Sequence, residues 1–276
     1  MTDRPPYAII LGTNEIASAV AVRLHHQGYG VVMSHDPLPP VIRRKMAFHD
    51  ALFDDPVTLA GIAAERVDSG MAAAAALARR QGVVITDLGL LDLIVIRALD
   101  LLVDARLQKY SITPDLRRLA RTTIGLGPGF TAGENCDFAV ETKPGLQGAL
   151  VRQGTTEAAD GIARPLGNRG AERFVYSALA GRWHTAMEIG SRVFKDYVIG
   201  HLGDHAVQAP FDGVLRGVVR DGTEVPAGVK LLEVDPRIRG AVWAGIDDRA
   251  QTIAQAVGEA LTPRHARQPV RLTPVR

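Results

Sequence analysis

The sequence predicts an α/β domain built on a parallel sheet, followed by an all-β domain made of one duplicated unit. Three observations predict it. Short apolar runs alternate with helical patterns through the first half of the chain, which is the order of βαβ units. A glycine-dense stretch, Ile124-Gly-Leu-Gly-Pro-Gly-Phe-Thr-Ala-Gly133, follows two β-branched threonines as if from the end of a buried strand. Residues 175–202 superpose on 207–234 at a constant offset of 32 and without a gap.

The bulk numbers set the frame. A chain of 276 residues, 46% hydrophobic and 22% charged, is that of a globular protein with an ample core. A net charge of +2 without a concentrated basic face argues against a dedicated nucleic-acid binder. The opening Met-Thr-Asp-Arg-Pro-Pro carries no apolar leader run, and the most apolar stretch, residues 90–103, is broken by Asp92, Arg97 and Asp100. No membrane is expected. The single cysteine, Cys136, excludes an internal disulfide framework and a cysteine-based zinc cage, and the expected compartment is the cytoplasm.

The first strand is the apolar run Tyr7-Ala-Ile-Ile-Leu11, ending at Gly12. An amphipathic helix follows over residues 15–27, with Ile16, Val20 and Leu24 on one face and Gly28 as its stop. Val31-Val-Met33 is the second strand, with Asp36 just beyond it, near where a ribose-binding carboxylate belongs in a dinucleotide-binding unit. The glycine fingerprint is incomplete: Gly12-Thr-Asn14-Glu-Ile-Ala17 puts Asn14 where a glycine would let pyrophosphate approach. A Rossmann-like domain is therefore expected without a nicotinamide cofactor. Arg43, Arg44 and Lys45 would engage an anion or form a solvated face. The alanine-rich residues 70–81 predict a helix, Val83-Val-Ile-Thr86 a third strand, residues 90–99 a short buried helix and Leu101-Leu-Val103 a fourth strand.

Ligands of open α/β sheets bind outside the carboxyl ends of the strands. Asp104, Arg106 and Lys109 follow the fourth strand, on the rim that also carries Gly12 and Asp36; they read equally as a ligand site and as a structural ion pair. The glycine loop visits this rim too. No helix follows it, so an anion there would rest on backbone amides of Gly125, Gly127 and Gly129. A tight connection between strands is the alternative reading. Phe138-Ala-Val140 is the next strand, and Glu141 and Thr142 end it on the same rim. Cys136 reads as a packed side chain or a reactive thiol.

The repeat pairs Val175 with Val207, Gly181 with Gly213, Gly190 with Gly222 and Val193 with Val225. Each copy reads as short strands separated by glycine turns, a rhythm that resembles half of a lipoyl/biotinyl-type barrel-sandwich hybrid. That family carries its cofactor on a lysine at the joint of the halves, and Gly203-Asp-His-Ala206 has none, so no biotin or lipoyl attachment is expected. His201, Asp204 and His205 lie on one turn, as metal ligands or, by the reading adopted, as solvated groups. The resulting division is a Rossmann-like α/β domain over 1–160, a duplicated all-β barrel-sandwich hybrid over 161–245, a C-terminal helix over 246–261 and a disordered basic tail over 262–276.

Leu102-Val-Asp-Ala-Arg106, the glycine loop, Ala139-Val-Glu-Thr142, Ala209-Pro-Phe-Asp-Gly-Val-Leu-Arg-Gly217 and Gly228-Val-Lys-Leu-Leu-Glu-Val-Asp-Pro-Arg237 together resemble the YqeB-like, selenium-dependent molybdenum hydroxylase accessory proteins, which are related to XdhC-type maturation factors. The resemblance implies a cytoplasmic accessory or maturation protein for a xanthine dehydrogenase-type molybdenum hydroxylase, its client protein. It would bind the molybdenum cofactor or a related phosphorylated pterin or nucleotide and deliver it to the apo-enzyme. The cofactor-binding candidates are Gly12, Asn14, Asp36, Asp104, Arg106, Lys109, Gly125, Gly127, Gly129, Glu141 and Thr142, with Asp235 and Arg237 at the domain junction or substrate. No catalytic residue is implied, and no metal ligands are expected. The alternatives are a nucleotide-dependent oxidoreductase or transferase, and a non-catalytic scaffold.

Overall fold

The computed structural model describes residues 4–109 and 113–262; the expected tail beyond Thr262 lies outside them. The chain opens with β1 (Tyr7–Leu11), α1 (Glu15–His26) and β2 (Gly30–Ser34). Two short 3-10 turns lead to β3 (Thr58–Leu59), β4 (Ile62–Arg66), α2 (Gly70–Arg79) and β5 (Gly82–Thr86). Then follow α3 (Leu90–Ile94), β6 (Leu101–Asp104), β7 (Thr122–Leu126), β8 (Thr131–Ala132), β9 (Phe138–Val140), β10 (Leu150–Val151) and β11 (Gly154–Thr155).

Nine of these strands form one sheet in the order β10-β9-β7-β6-β1-β2-β5-β4-β3. The inner seven are parallel, and β10 and β3 close the edges antiparallel. Strands β1, β2, β5, β6 and β7 are near-continuous apolar runs because both faces are covered. Ile10, Val31, Met33, Val103 and Ile124 pack with α1 on one face; Ile9, Val32, Val84 and Leu102 pack with α2 and α3 on the other.

The second unit comprises β12 (Phe174–Tyr176), β13 (Gly181–His184), β14 (Arg192–Val193), β15 (Val198–Leu202), β16 (His205–Gln208), β17 (Gly213–Val218), β18 (Glu224–Val225) and β19 (Lys230–Asp235). They form two four-stranded sheets, β12-β19-β17-β14 and β16-β15-β13-β18. A step of one copy along the sequence exchanges them, as Val193 in β14 and Val225 in β18 illustrate. Between the sheets lie Trp183, Ile199, Leu202, Leu215, Leu231 and Val234, and the Trp183 indole N–H donates to the Val219 carbonyl at 3.1 Å. The outer faces differ: every residue of β17 is buried, whereas Arg182, His184 and His201 on the other sheet are exposed.

The expected fold class is corrected here. The chain is a mixed α/β protein with many strands and few helices, rather than a Rossmann-like domain followed by a barrel-sandwich hybrid. A doubly wound sheet needs a helix in each parallel crossover, and among the described residues the passages from β6 to β7 and from β7 to β9 contain none. The missing cover comes from α4 (Asp248–Ala260), beyond the second unit, whose Ile253, Ala254 and Val257 join the same core as α1. Residues 90–99 hold only the short α3, because Val95 and Leu91 face out and offer no second turn to the core. Strands β3 and β4, with one alternating face exposed, give too little apolar pattern to be read from the sequence. No helix among the described residues is long and apolar enough to cross a membrane.

Candidate functional site

The rim at the carboxyl ends of β1, β2, β6, β7 and β9 gathers most of the residues singled out above. Gly12 turns there with φ +104°, and a Cβ on it would stand 3.0 Å from the Ala105 carbonyl oxygen. Asn14 is the N-cap of α1: its Oδ1 accepts the amides of Ile16 and Ala17, each at 3.0 Å, while its Nδ2 donates to the Ala105 carbonyl at 2.7 Å. The residue that damages a glycine fingerprint thus ties the start of α1 to the loop after β6.

Asp104 and Arg106 form a bidentate pair, with guanidinium contacts of 2.6 and 3.0 Å, and Arg106 also reaches Asp36 at 3.7 Å. Gln108 donates to Asp36 at 2.8 Å. Arg106 therefore faces two carboxylates, which consume its charge. The same Asp-x-Arg turn recurs at Asp235 and Arg237, where the arginine amide and Nε both donate to Asp235 Oδ1, at 2.9 and 3.0 Å. Both motifs staple a strand end.

The Gly127 amide of the glycine loop is engaged by protein. Gly127, at φ +89°, donates its N–H to the Val140 carbonyl at 3.0 Å, and its own carbonyl accepts the Thr156 hydroxyl at 2.6 Å. Gly125 sits beneath the Phe130 ring, and the Gly129 α-carbon faces the Thr113 hydroxyl. Glu141 is buried and accepts the amides of Thr142, Lys143 and Glu157, each at 2.7 Å, so its carboxylate fastens the end of β9 to the chain after β11. Cys136 is buried, and burial pushes its thiol up to about 11, which disfavours the thiolate at neutral pH. Among the described residues no group of three or more His, Cys, Asp or Glu side chains is placed to hold a metal ion; His201 and His205 are exposed beside the turn that joins β15 to β16.

A different cluster lies where the second unit meets the rim. Glu233, on β19, is fully buried and receives three arginines: Arg43 at 2.8 Å, Arg173 at 2.9 Å and Arg216 at 3.2 Å. Arg43 comes from the loop after β2 and also binds Glu15 of α1 at 2.8 Å; Arg216 binds Asp247, the N-cap of α4, at 3.0 Å. One carboxylate thus joins α1, the rim, both inner strands of the second unit and α4. Burial raises the Glu233 carboxyl, but Arg43 and Arg216 outweigh it and hold the group down at about 2.

Two more cations border this cluster. Arg249 donates to the Thr142 carbonyl at 3.0 Å and, among the described residues, has no carboxylate within ion-pair distance; burial lowers its affinity for the proton. Lys230 stands 3.9 Å above the Phe174 ring, and burial, with Arg43 and Lys109 nearby, pushes its ammonium down to about 8. Among the described residues, Arg43, Arg173, Arg216, Arg249 and Lys230 face only Glu15, Glu233 and Asp247, so the junction carries a positive excess. Of the residues singled out in the sequence, Arg43 lies within it, and Lys109 and Thr142 border it. The others were not evident from motifs, but Arg216 and Glu233 each interrupt an apolar strand, and a lone charge in a buried strand demands a partner.

No family model matches the chain. A curated relative, the uncharacterized protein YqeB of Escherichia coli (strain K12), is 33% identical over 262 residues, covering 92% of this chain and 47% of the relative. The chain therefore spans about half the length of that relative. Among solved structures, the apo ectoine utilization protein EutE (DoeB) from Ruegeria pomeroyi is 11% identical at a TM-score of 0.27, over 83% of this chain and 86% of its own. An aspartoacylase family protein from Mesorhizobium loti is 11% identical at a TM-score of 0.25, over 84% and 86%. Scores this low carry no activity to this chain. The expected role is corrected: the relative brings a name and no activity, and the solved structures found are an ectoine utilization protein and an aspartoacylase family protein. The maturation of a molybdenum hydroxylase is withdrawn as the role of this chain.

Proposed function

We propose that this chain is a YqeB-like protein that binds a small phosphate-bearing anion, of the nucleotide or phosphorylated-cofactor class, where the second unit meets the sheet rim. The carrying observation is the positive excess there: five buried or half-buried cations share three carboxylates. Unbalanced buried charge is costly, and an anion that supplies the missing countercharge relieves it. Arg249 and Lys230 would meet the ligand, because the other three cations are held in place by carboxylates. Phosphate suits the site better than a neutral ligand, since arginine presents a planar fork of donors to its oxygens. The family reading is supported by the motifs quoted above and by the 33% identity to YqeB. We infer a cytoplasmic setting, supported by the lone buried thiol.

The test is to denature the purified protein, identify any released ligand by mass spectrometry, and measure melting with ATP, inorganic phosphate and adenosine. A phosphate ligand at a hundred times its Kd adds about 2.7 kcal/mol, roughly a 5 °C rise in Tm, and adenosine adds none. Arg249→Met abolishes the rise. No released anion, together with no stabilisation by any phosphate compound, refutes the proposal.

A further inference from the structure

Resting on that reading, we infer that the anion carries an aldehyde or ketone and that Lys230 is the nucleophile that captures it as a Schiff base. The chain has only five lysines, Lys45, Lys109, Lys143, Lys195 and Lys230. Lys45, Lys109 and Lys195 are exposed, and Lys143 is paired with Glu157 at 3.3 Å. Lys230 differs from all of them. It opens β19 in a half-buried position, its Nζ lies 3.9 Å above the Phe174 ring, and Arg173 covers that ring as well, at 4.3 Å. Among the described residues it has no ion-pair partner; the nearby Glu233 is already bound by three arginines.

A lysine becomes nucleophilic where desolvation and neighbouring cations disfavour its charged form. Here Arg43, Arg173 and Lys109 are those cations, and the lowered proton affinity of Lys230 accords with their placement. The cations that ease the loss of a proton from the amine also make the surroundings favourable to an anion, so the amine and the anionic substrate are served by one cluster. The step is balanced without an oxidant or reductant. The neutral Nζ attacks the carbonyl carbon, a C–N bond forms, and the carbonyl oxygen leaves as water with both amine protons. Lys230 is half exposed, which leaves the amine within reach of a small molecule.

Pyridoxal 5′-phosphate serves as the probe, since it unites an aldehyde with a phosphate, and pyridoxal is the same aldehyde without it. The full chain is incubated with each, reduced with borohydride, digested and mapped by mass spectrometry. The expected result is label at Lys230 roughly tenfold above each of the other lysines, dependent on the phosphate. Lys230→Arg, which keeps the charge but removes the nucleophile, loses that label while melting as the parent does. Equal labelling of Lys230 by both aldehydes supports the covalent assignment and removes the anion reading. Label spread over Lys45, Lys143 and Lys195 without enrichment at Lys230 overturns the covalent assignment, whatever the melting experiments with ATP return.

Discussion

Replacing Glu233 by glutamine keeps the shape of the side chain and removes the charge on which three arginines converge. The structure sets the size of the effect. The carboxyl is held at about 2 against an ordinary value of 4.5. At about 1.4 kcal/mol for each tenfold change in proton affinity, the folded state gains about 3 kcal/mol from the ionised form at neutral pH. Removing one partner of a buried charge network by other routes costs a similar amount, about 3–5 kcal/mol. The sign follows from the direction. Because the folded value lies below the unfolded one, the contribution is whole above about pH 4.5 and declines as the pH falls toward 2. Urea unfolding of the parent and of Glu233→Gln should therefore differ by about 3 kcal/mol at pH 7 and by only about 1.4 kcal/mol at pH 3. A gap below about 1 kcal/mol at pH 7, or one that is constant between the two pH values, refutes the assignment of Glu233 as the anchor of the junction.

Two further perturbations test the rim. Gly127→Val places a β-branched residue at φ +89° with its Cβ 2.8 Å from the Thr142 hydroxyl, whereas Gly133→Val meets a similar φ of +86° in open space. Thermal melts should show Gly127→Val costing about 2–4 kcal/mol and more than its counterpart, the excess being steric. His49 is buried against Thr13, with Nδ1 3.0 Å from the hydroxyl, and burial, with His35 and Arg44 adding to it, pushes its imidazole down to about 3. The unfolded chain takes up that proton near pH 6.5, so acidification from pH 7 to pH 5 should cost about 2 kcal/mol that His49→Asn does not lose; equal acid slopes would exclude this role.

What the sequence reveals here depends on whether the information is local. Strand β1 and helix α1 can be read from Tyr7-Ala-Ile-Ile-Leu11 and from the spacing of Ile16, Val20 and Leu24, because burial on one face leaves a period in the chain itself. Asn14 illustrates the limit: the residue type that spoils a glycine motif is also among the best helix caps, and only the position of Ala105 distinguishes the two uses. Glu141 likewise looks like an acid facing a ligand until three amides are found turned toward it. The site proposed here draws Arg43, Arg173, Arg216, Lys230 and Arg249 from five separate segments, so no single window of sequence contains it. The sequence shows no helix after the glycine loop, and what covers that face, α4, comes from far downstream, where no local pattern links it to the sheet.

The placement of α4 has a consequence for how the protein is made. Residues 1–160 contain every strand of the large sheet but not the helix that covers α1, because Ala250, Ile253 and Val257 are encoded after the second unit. During synthesis the apolar face of α1 waits, uncovered, while about a third of the chain is still being translated, and an exposed face of that kind invites association with other chains. The ribosome thus delivers the small sandwich before the large domain can close, so the part synthesised first is the part completed last.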